Sequence, residues 1–404
     1  MADNIFSVHQ MLAREGAEIL KEEASFLGQI NRGRDSDFGK PVEGYAKGDF
    51  VDISVPFVPV VFDGPVFAGG NAAPAVKETK VRLQLNTQKH TAVTITSVEK
   101  ALKLESERER ILRPAMQSLA SIVQADLLMR AVLATSNSVG TPGTIPNTMR
   151  TYAQARAKLQ KFLAPPADRS CMFSSDANTE MVDTSKVLFN PNKAIAEQYK
   201  TGVLGDAQGM SFFENQSLPS LTNGTQANTF TLNGVPASGA TSLTVTALTG
   251  TLLAGQTFTV ATVNAVHPIT GQTLGASEPR QFVVTADCAV GATTVPFAPA
   301  MVPTTATEIG NVSKLPAAAG VATLVGGAGV ILRKNLVFQK NAFAAAFANL
   351  GLIPGTVGYS AMVDGFGVRV MSGGSFTADT SSTRIDVLYG FAGVRTDHAS
   401  RVTE

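Results

Sequence analysis

The chain has 404 residues, enough for two or three domains and a substantial core. Its 33 Lys and Arg offset 32 Asp and Glu to a formal charge of +1, which excludes a bulk basic field for gripping nucleic acid and an acidic tail. Cys171 and Cys288 lie far apart with no CxxC, so neither a zinc site nor a disulfide framework is signalled, and a reducing compartment is compatible.

The first residues, MADNIFSVHQMLAREG, carry charge and no apolar stretch, so they do not read as a signal peptide. Residues Ile5 to Leu27 then read as an amphipathic helix. Val8, Leu12, Ile19, Leu20, Phe26 and Leu27 form its apolar side, and Glu15, Glu18, Glu22 and Glu23 make the other side acidic. A polar arm follows. Val51, Ile53, Val55 and Phe57 next alternate with polar residues and Pro56, a period of two that predicts a strand. Phe62 to Val76 is rich in Gly, Ala and Pro and is read as irregular. Alternation resumes at Val81, Leu83 and Leu85, and again at Val93 and Ile95. This predicts a long two-stranded excursion. Such a ribbon is marginal in water by itself, so it calls for support from a neighbouring molecule.

The stretch from Leu104 to Thr135 predicts one long helix. Ile111, Leu112, Ala115, Met116, Leu119, Ile122, Val123, Leu127 and Ala131 recur at three- and four-residue steps. Ser106 and Glu109 resemble a capping box. Pro114 predicts a kink, or a helix that ends before it. At ~1.5 Å per residue the helix would be ~45 Å long. The simple reading is a core helix; the sharper one is a spine for an extended subunit. Asn147 can cap a further helix carrying Met149, Tyr152, Leu159 and Leu163, stopped by Pro165-Pro166. Arg169 to Phe173 reads as a buried strand, Asn190-Pro191 as a helix start with Gly202 as its stop, and LGDAQGMSFFENQSLP as a turn and strand. Helices and strands mixed without a βαβ rhythm predict an α+β fold.

The composition changes from Leu221 to Val312, where Glu278, Arg280, Asp287 and Glu308 are the only charged residues. Short alternating runs (Phe230 and Leu232, Leu243 and Val245, Phe258 and Val260, Val295 and Phe297) lie between Gly and Asn turns. They predict a small inserted all-β domain. The last part, GVILRKNLVFQKNAFAAAFANL, reads as a strand then a helix, and Ile385, Val387 and Tyr389 alternate in a final strand. No run approaches the ~18 apolar residues of a membrane helix, the most apolar being Asn341 to Ile353. The expectation is a soluble, intracellular protein whose sequons at Asn215, Asn223 and Asn311 carry no meaning.

Several of these stretches together resemble a known family. They are Asn31-Arg32 with Arg34-Asp35-Ser36-Asp37-Phe38, Gly48-Asp49-Phe50-Val51, VRLQLNTQKHTAVTITSVEKALKL running into RILRPAMQSLASIVQADLL, and GQTFTVATVNAVHPITGQ followed by RQFVVTA. They are similar to the coat proteins of the P-twenty-two-type podophages, and both C-terminal stretches are similar too. The resemblance implies the HK-97-like major capsid fold, α+β. It implies an N-terminal arm (1–45), an extended loop with adjoining strands (46–99) and a spine helix (100–138). It further implies an axial domain (139–221), an inserted β domain (222–313) and a C-terminal axial and peripheral part (314–404). It also implies a shell of hexamers and pentamers around double-stranded DNA, assembled in the host cytoplasm with scaffolding and portal proteins as partners and no membrane.

His9, His90, His267 and His398 lack metal-ligand spacing, and the Gly-rich turns at Gly326 and Gly365 lack the phosphate-loop and dinucleotide patterns. No nucleophile elbow, catalytic group, cofactor or metal site is expected. The charge run Glu105 to Arg113 is a solvated helix face or, through Glu107, Arg108 and Arg110, a row pairing with neighbouring subunits. Lys77 and Lys80, by the tip of the excursion, meet an acidic patch next door or keep an edge soluble. The readings set against a coat protein are a nanocompartment shell protein of the same fold and a β-rich adhesin or carbohydrate-binding protein.

Overall fold

A computed structural model describes residues 3–23, 25–33, 50–56, 58–59, 78–96, 113–185, 204–275, 278–305, 308–375 and 380–404. The chain forms two compact units. One is made of Met1–Ile53, Val81–Leu128 and Phe343–Val394, the other of Ser54–Lys80, Met129–Ala342 and Arg395–Glu404.

The predicted N-terminal helix is two helices, α1 (Asp3–Glu23) and α2 (Ser25–Gln29). Leu12, Ile19, Leu20, Phe26 and Leu27 are buried as the pattern required, while Glu18 and Glu22 are exposed; the side chain of Val8 lies outside the described residues. Strands β1 (Phe50–Val55) and β2 (Thr79–Gln84) pair as the expected ribbon. Its inner face, Val51, Ile53, Val81 and the fully buried Leu83, packs with Ala344, Ala346 and Ala392. Its outer face carries Asp52, Ser54, Lys80 and Arg82 beside the exposed ring of Phe50. Arg82 pairs with Asp52 at 3.1 Å and lies 3.9 Å from the Phe50 ring centroid. Phe57 and the tip from Phe62 to Val76 lie outside the described residues. Strand β3 (Thr87–Thr96) leaves the ribbon for another sheet.

Helix α3 (Arg113–Ala134) is the described part of the predicted long helix. Pro114 falls in its first described turn, and the residues before Arg113, where a kink or an end of the helix was expected, lie outside the described residues. Met116, Leu119, Val123, Leu127 and Ala131 are buried. Ile122 is not; it is 54% exposed. At ~100° per residue the buried arc is filled by Ala120, Leu128 and Val132 instead. The capping pair Ser106 and Glu109, and Ile111 and Leu112, lie outside the described residues.

The second unit begins with β4 (Ser138–Val139), α4 (Met149–Lys161), β5 (Arg169–Phe173) and α5 (Ser175–Ser185). Thr148, not Asn147, occupies the cap position of α4 and makes no side-chain capping bond. The helix start at Asn190-Pro191 and the stop at Gly202 lie outside the described residues. β6 (Asp206–Ala207) and β7 (Met210–Glu214) form the expected turn and strand, and β8 (Ser220–Thr222) leads into the insertion. The insertion holds β9 (Thr229–Thr231), β10 (Ala240–Thr244), β11 (Thr257–Asn264), β12 (Pro279–Val284), β13 (Thr294–Met301) and β14 (Val321–Leu324). They form one sheet in the order β10-β13-β12-β11-β14-β9. All eight residues of the predicted alternating pairs are buried in its core. Strand β14 pairs with both β9 and β11, so this sheet reaches past residue 313.

Strand β15 (Ile331–Gln339) is followed by a short 3-10 turn and then by β16 (Phe343–Ala348), a strand where the sequence predicted a helix. Alanine favours helix intrinsically, but here packing overrides it. Phe343 and Phe347 point to one face, toward Phe391 and Tyr389. Ala344 and Ala346 point to the other, where only a small side chain lets Leu83 of the ribbon settle. β17 (Val357–Val363), β18 (Phe366–Ser375) and β19 (Thr380–Gly393) complete that sheet, in the order β16-β19-β18-β17 with β3 also on β19. Ile385, Val387 and Tyr389 are buried in β19. At Gly390 an added Cβ would stand 2.2 Å from the Gln84 carbonyl oxygen, so only glycine allows that backbone approach. Finally β20 (Ala399–Thr403) joins the second unit's sheet, ordered β4-β20-β15-β5-β7-β6 with β8 on β15.

Candidate assembly surfaces and the seat of the inserted domain

Of the candidate contact residues, Lys80 is described and is exposed on β2. Lys77, Glu107, Arg108 and Arg110 lie outside the described residues. Among the histidines, His90 is exposed and His267 accepts the amides of Ile269 and Thr270 at 3.3 and 3.2 Å. His398 is buried, and burial holds it below its ordinary pKa; the side chain of His9 is outside the described residues. Among the described residues no group of three or more His, Cys, Asp or Glu is placed to hold a metal ion. No described helix is long and apolar enough to cross a membrane.

The N-terminal helices are fixed to their own unit by charge as well as by apolar burial. Lys21 pairs with Asp364 in the turn between β17 and β18. Arg32 donates to the Asp364 carbonyl at 2.8 Å and lies 4.2 Å from the Phe366 ring centroid. Deeper in this unit, Asp386 is fully buried. It accepts Arg369 at 2.9 and 3.2 Å, Arg384 at 2.8 Å and Gln88 at 3.0 Å. Burial alone would raise its pKa; the hydrogen bonds from the two arginines and Gln88 outweigh it and hold the carboxyl below the usual range.

In the second unit the chain leaves for the insertion along β8 and returns along β15, and the two strands pair through Thr222 with Ile331, Leu221 with Leu332 and Ser220 with Arg333. Asn223 braces this stem, its side-chain amide donating to the Gly327 carbonyl at 3.0 Å. Beyond the stem the inserted sheet rests on a polar seat. Arg401, fully buried on β20, donates to the Gly255 carbonyl at 2.6 Å and to Thr257 Oγ1 at 2.7 Å. Arg280, 1% exposed on β12, donates to Asp397 at 2.5 Å and lies 4.7 Å from the Phe162 ring centroid. Gln281 accepts the Ser138 amide at 2.7 Å and Lys158 Nζ at 2.5 Å, and donates to the Ser138 carbonyl at 3.0 Å. Lys161 pairs with Glu278. Burial pushes Lys158 down to about 8, with Glu278 opposing in part. Burial, aided by Arg401, pushes Lys334 down to about 7.

None of the seat residues was singled out from the sequence as a site. One signal was available: Glu278 and Arg280 are two of only four charges between Leu221 and Val312, and a lone charge in an apolar domain usually has a partner to meet. Arg401 and Lys334 gave no such signal, because a charge within an alternating strand reads as solvent-facing.

The family model described as P22 coat protein, gene protein 5, matches residues 57–399. Among solved structures, one from Mycobacterium phage Che8 aligns over 94% of this chain and 90% of its own, with 13% identity and a TM-score of 0.52. The capsid of cyanophage P-SCSP1u covers 89% of this chain and 84% of its own at 13% identity, TM-score 0.43. The mature capsid of bacteriophage PhiM1 covers 88% and 82% at 10% identity, TM-score 0.42. No curated protein matches.

Proposed function

Because this chain belongs to the P22 coat protein family, it is the major capsid protein of a tailed bacteriophage, and we propose that its excursion and spine carry the contacts between subunits. The observation behind the membership is a family match over residues 57–399, which takes in the second ribbon strand, the spine, the insertion and the strands after it as far as β19. The fold is that of phage capsid proteins, α+β in architecture. Copies of such a protein self-assemble into the capsid shell. Each contact can be weak, since every subunit repeats it and closure multiplies the effect.

The ribbon of β1 and β2 supports the excursion as an intersubunit arm. Its apolar face is already used on Ala344, Ala346 and Ala392. The opposite face displays Asp52 and Arg82, with Lys80 exposed nearby. Lys77 and Lys80 at the excursion, and Glu107, Arg108 and Arg110 before α3, are the proposed partners across subunits. Surface ion pairs are worth only ~0–1 kcal/mol each, which suits contacts that must form reversibly during closure. The proposal extends to scaffolding and portal proteins as partners and to assembly in the host cytoplasm. The enclosed cargo would be double-stranded DNA, held without tight binding by a chain of charge +1.

Replacing Ala68–Val76 with a short Gly-Ser turn tests the arm. The expected variant is soluble, with the denaturant midpoint of the unassembled parent, yet forms few or no closed shells by sedimentation and electron microscopy. A variant that assembles as well as the parent removes the arm from the account. One that unfolds much more easily as a monomer shows that the segment packs on its own core.

A further inference from the structure

The seat of the inserted domain carries more positive charge than its carboxylates offset. Among the described residues, five cationic side chains stand there, Lys158, Lys161, Arg280, Lys334 and Arg401, with two carboxylates, Glu278 and Asp397. Those carboxylates are engaged by Lys161 and Arg280. The other three cations meet neutral oxygens. Lys158 donates to the Ser138 carbonyl at 3.0 Å and to Gln281 Oε1 at 2.5 Å. Lys334 donates to Thr403 Oγ1 at 3.1 Å, and Arg401 to Gly255 and Thr257. Glu404 gives no relief. Adjacent residues on a strand point to opposite faces, and its carboxylate is taken up by Ser174 at 2.5 Å and by Asn335, the neighbour of Lys334, at 2.7 Å.

Near neutral pH arginine keeps its proton in such a place; a lysine does not have to. Lys334, buried and with no counter-charge acting on it, releases its proton in preference to staying charged, and Lys158, half-buried with Glu278 partly opposing, does so less readily. We propose that the seat is a proton-sensitive latch. With Lys158 and Lys334 uncharged, Arg401 and Gln281 hold the inserted domain on the sheet; when the amines take up protons, repulsion from Arg280 and Arg401 loosens that hold. The depressed values of the two lysines agree with this placement.

The sign follows from the proton count. The seated state binds fewer protons than a state in which both lysines meet water. The hold therefore strengthens as pH rises from about 7 toward the ordinary lysine value, and is weakest and level below. Lys158 faces Glu278, Lys161 and Arg280. Lys334 faces Arg401. His398, among Arg395, Asp397 and Arg169, is held below its ordinary value by burial and stays neutral above pH 7. An interval of pH 7 to 9.5 thus spans the release from both lysines; burial also lowers Arg401, to about 9, so the comparison with Lys334→Met, not the interval alone, assigns the slope to a lysine.

Hydrogen–deuterium exchange of the unassembled full-length chain tests the latch, corrected for the intrinsic dependence of exchange on pH. The reporter is the peptide around Ser138, whose amide is donated to Gln281. Protection there should rise across the interval, by about tenfold per pH unit for each proton released. In Lys334→Met, a neutral chain of similar length, protection should be higher at pH 7 and the slope shallower. A flat profile in the parent, or an unchanged slope in Lys334→Met, overturns the latch. If Lys334→Met does not fold, competitive acetylation of the parent decides. Amine reactivity of Lys158 and Lys334 with midpoints well below the other lysines supports the latch, and ordinary midpoints refute it.

Discussion

At Asp386 one side chain joins three strands and two arginines. Breaking a buried pair on one side leaves an uncompensated charge, which costs ~3–5 kcal/mol. Asp386→Asn is expected to lose about that much, because Arg369, itself 6% exposed, stays behind. The pH dependence has a definite sign. The folded pKa lies below the unfolded one, so this contribution is complete above ~pH 4 and drains away as pH falls through the folded value. Urea titrations at pH 7 and pH 3 should show the parent losing more stability on acidification than Asp386→Asn. Equal losses would mean that Asp386 is not the carboxylate that senses acid.

Among the elements, α3 is the one whose register matters most. Leu119 is 5% exposed. Leu119→Ala should cost ~2–5 kcal/mol, the usual range for a buried leucine that leaves a cavity. Leu119→Asp should give insoluble protein. Three residues on, Ile122→Asp should be tolerated, because Ile122 faces away from the buried arc. A soluble, normally assembling Leu119→Asp variant would show that the buried arc has been assigned to the wrong side of the helix. Strand β16 teaches the opposite lesson about elements: its alanines make a strand because the ribbon has to lie against them.

Within the whole molecule, the inserted domain has its own core, with the rings of Phe258, Phe282 and Phe297 in mutual contact. A segment of residues 224–312 lacks β14, which joins β9 to the rest of the sheet. A segment of 224–325 should therefore melt cooperatively with a β-type circular dichroism spectrum. The shorter one should melt at lower temperature or stay unfolded. Equal stability of the two would show that β14 is a dispensable edge. The seat adds what neither segment has, and its polar character fits an interface between domains of one chain more than a continuous core.

Periodicity along the chain determined a good deal by itself. It gave the buried arc of α3 from Met116 to Ala131, the inward residues of the inserted sheet, the ribbon and the buried alternation of β19, because such patterns record which side chains leave water. Together with the clustered coat-like stretches, it was enough to point to a capsid protein. Only the tertiary structure decided the rest. FAAAFA became a strand because Leu83 comes down on Ala344 and Ala346. Ile122 stayed outside because the helix repeat of 3.6 does not divide into the steps read from the sequence. Asp386, Arg401 and Lys334 became buried because the folded chain brings their hydrogen-bond partners to them, Gln88 from 298 residues away, Gly255 from 146 and Thr403 from 69, and a one-dimensional pattern does not register such partners.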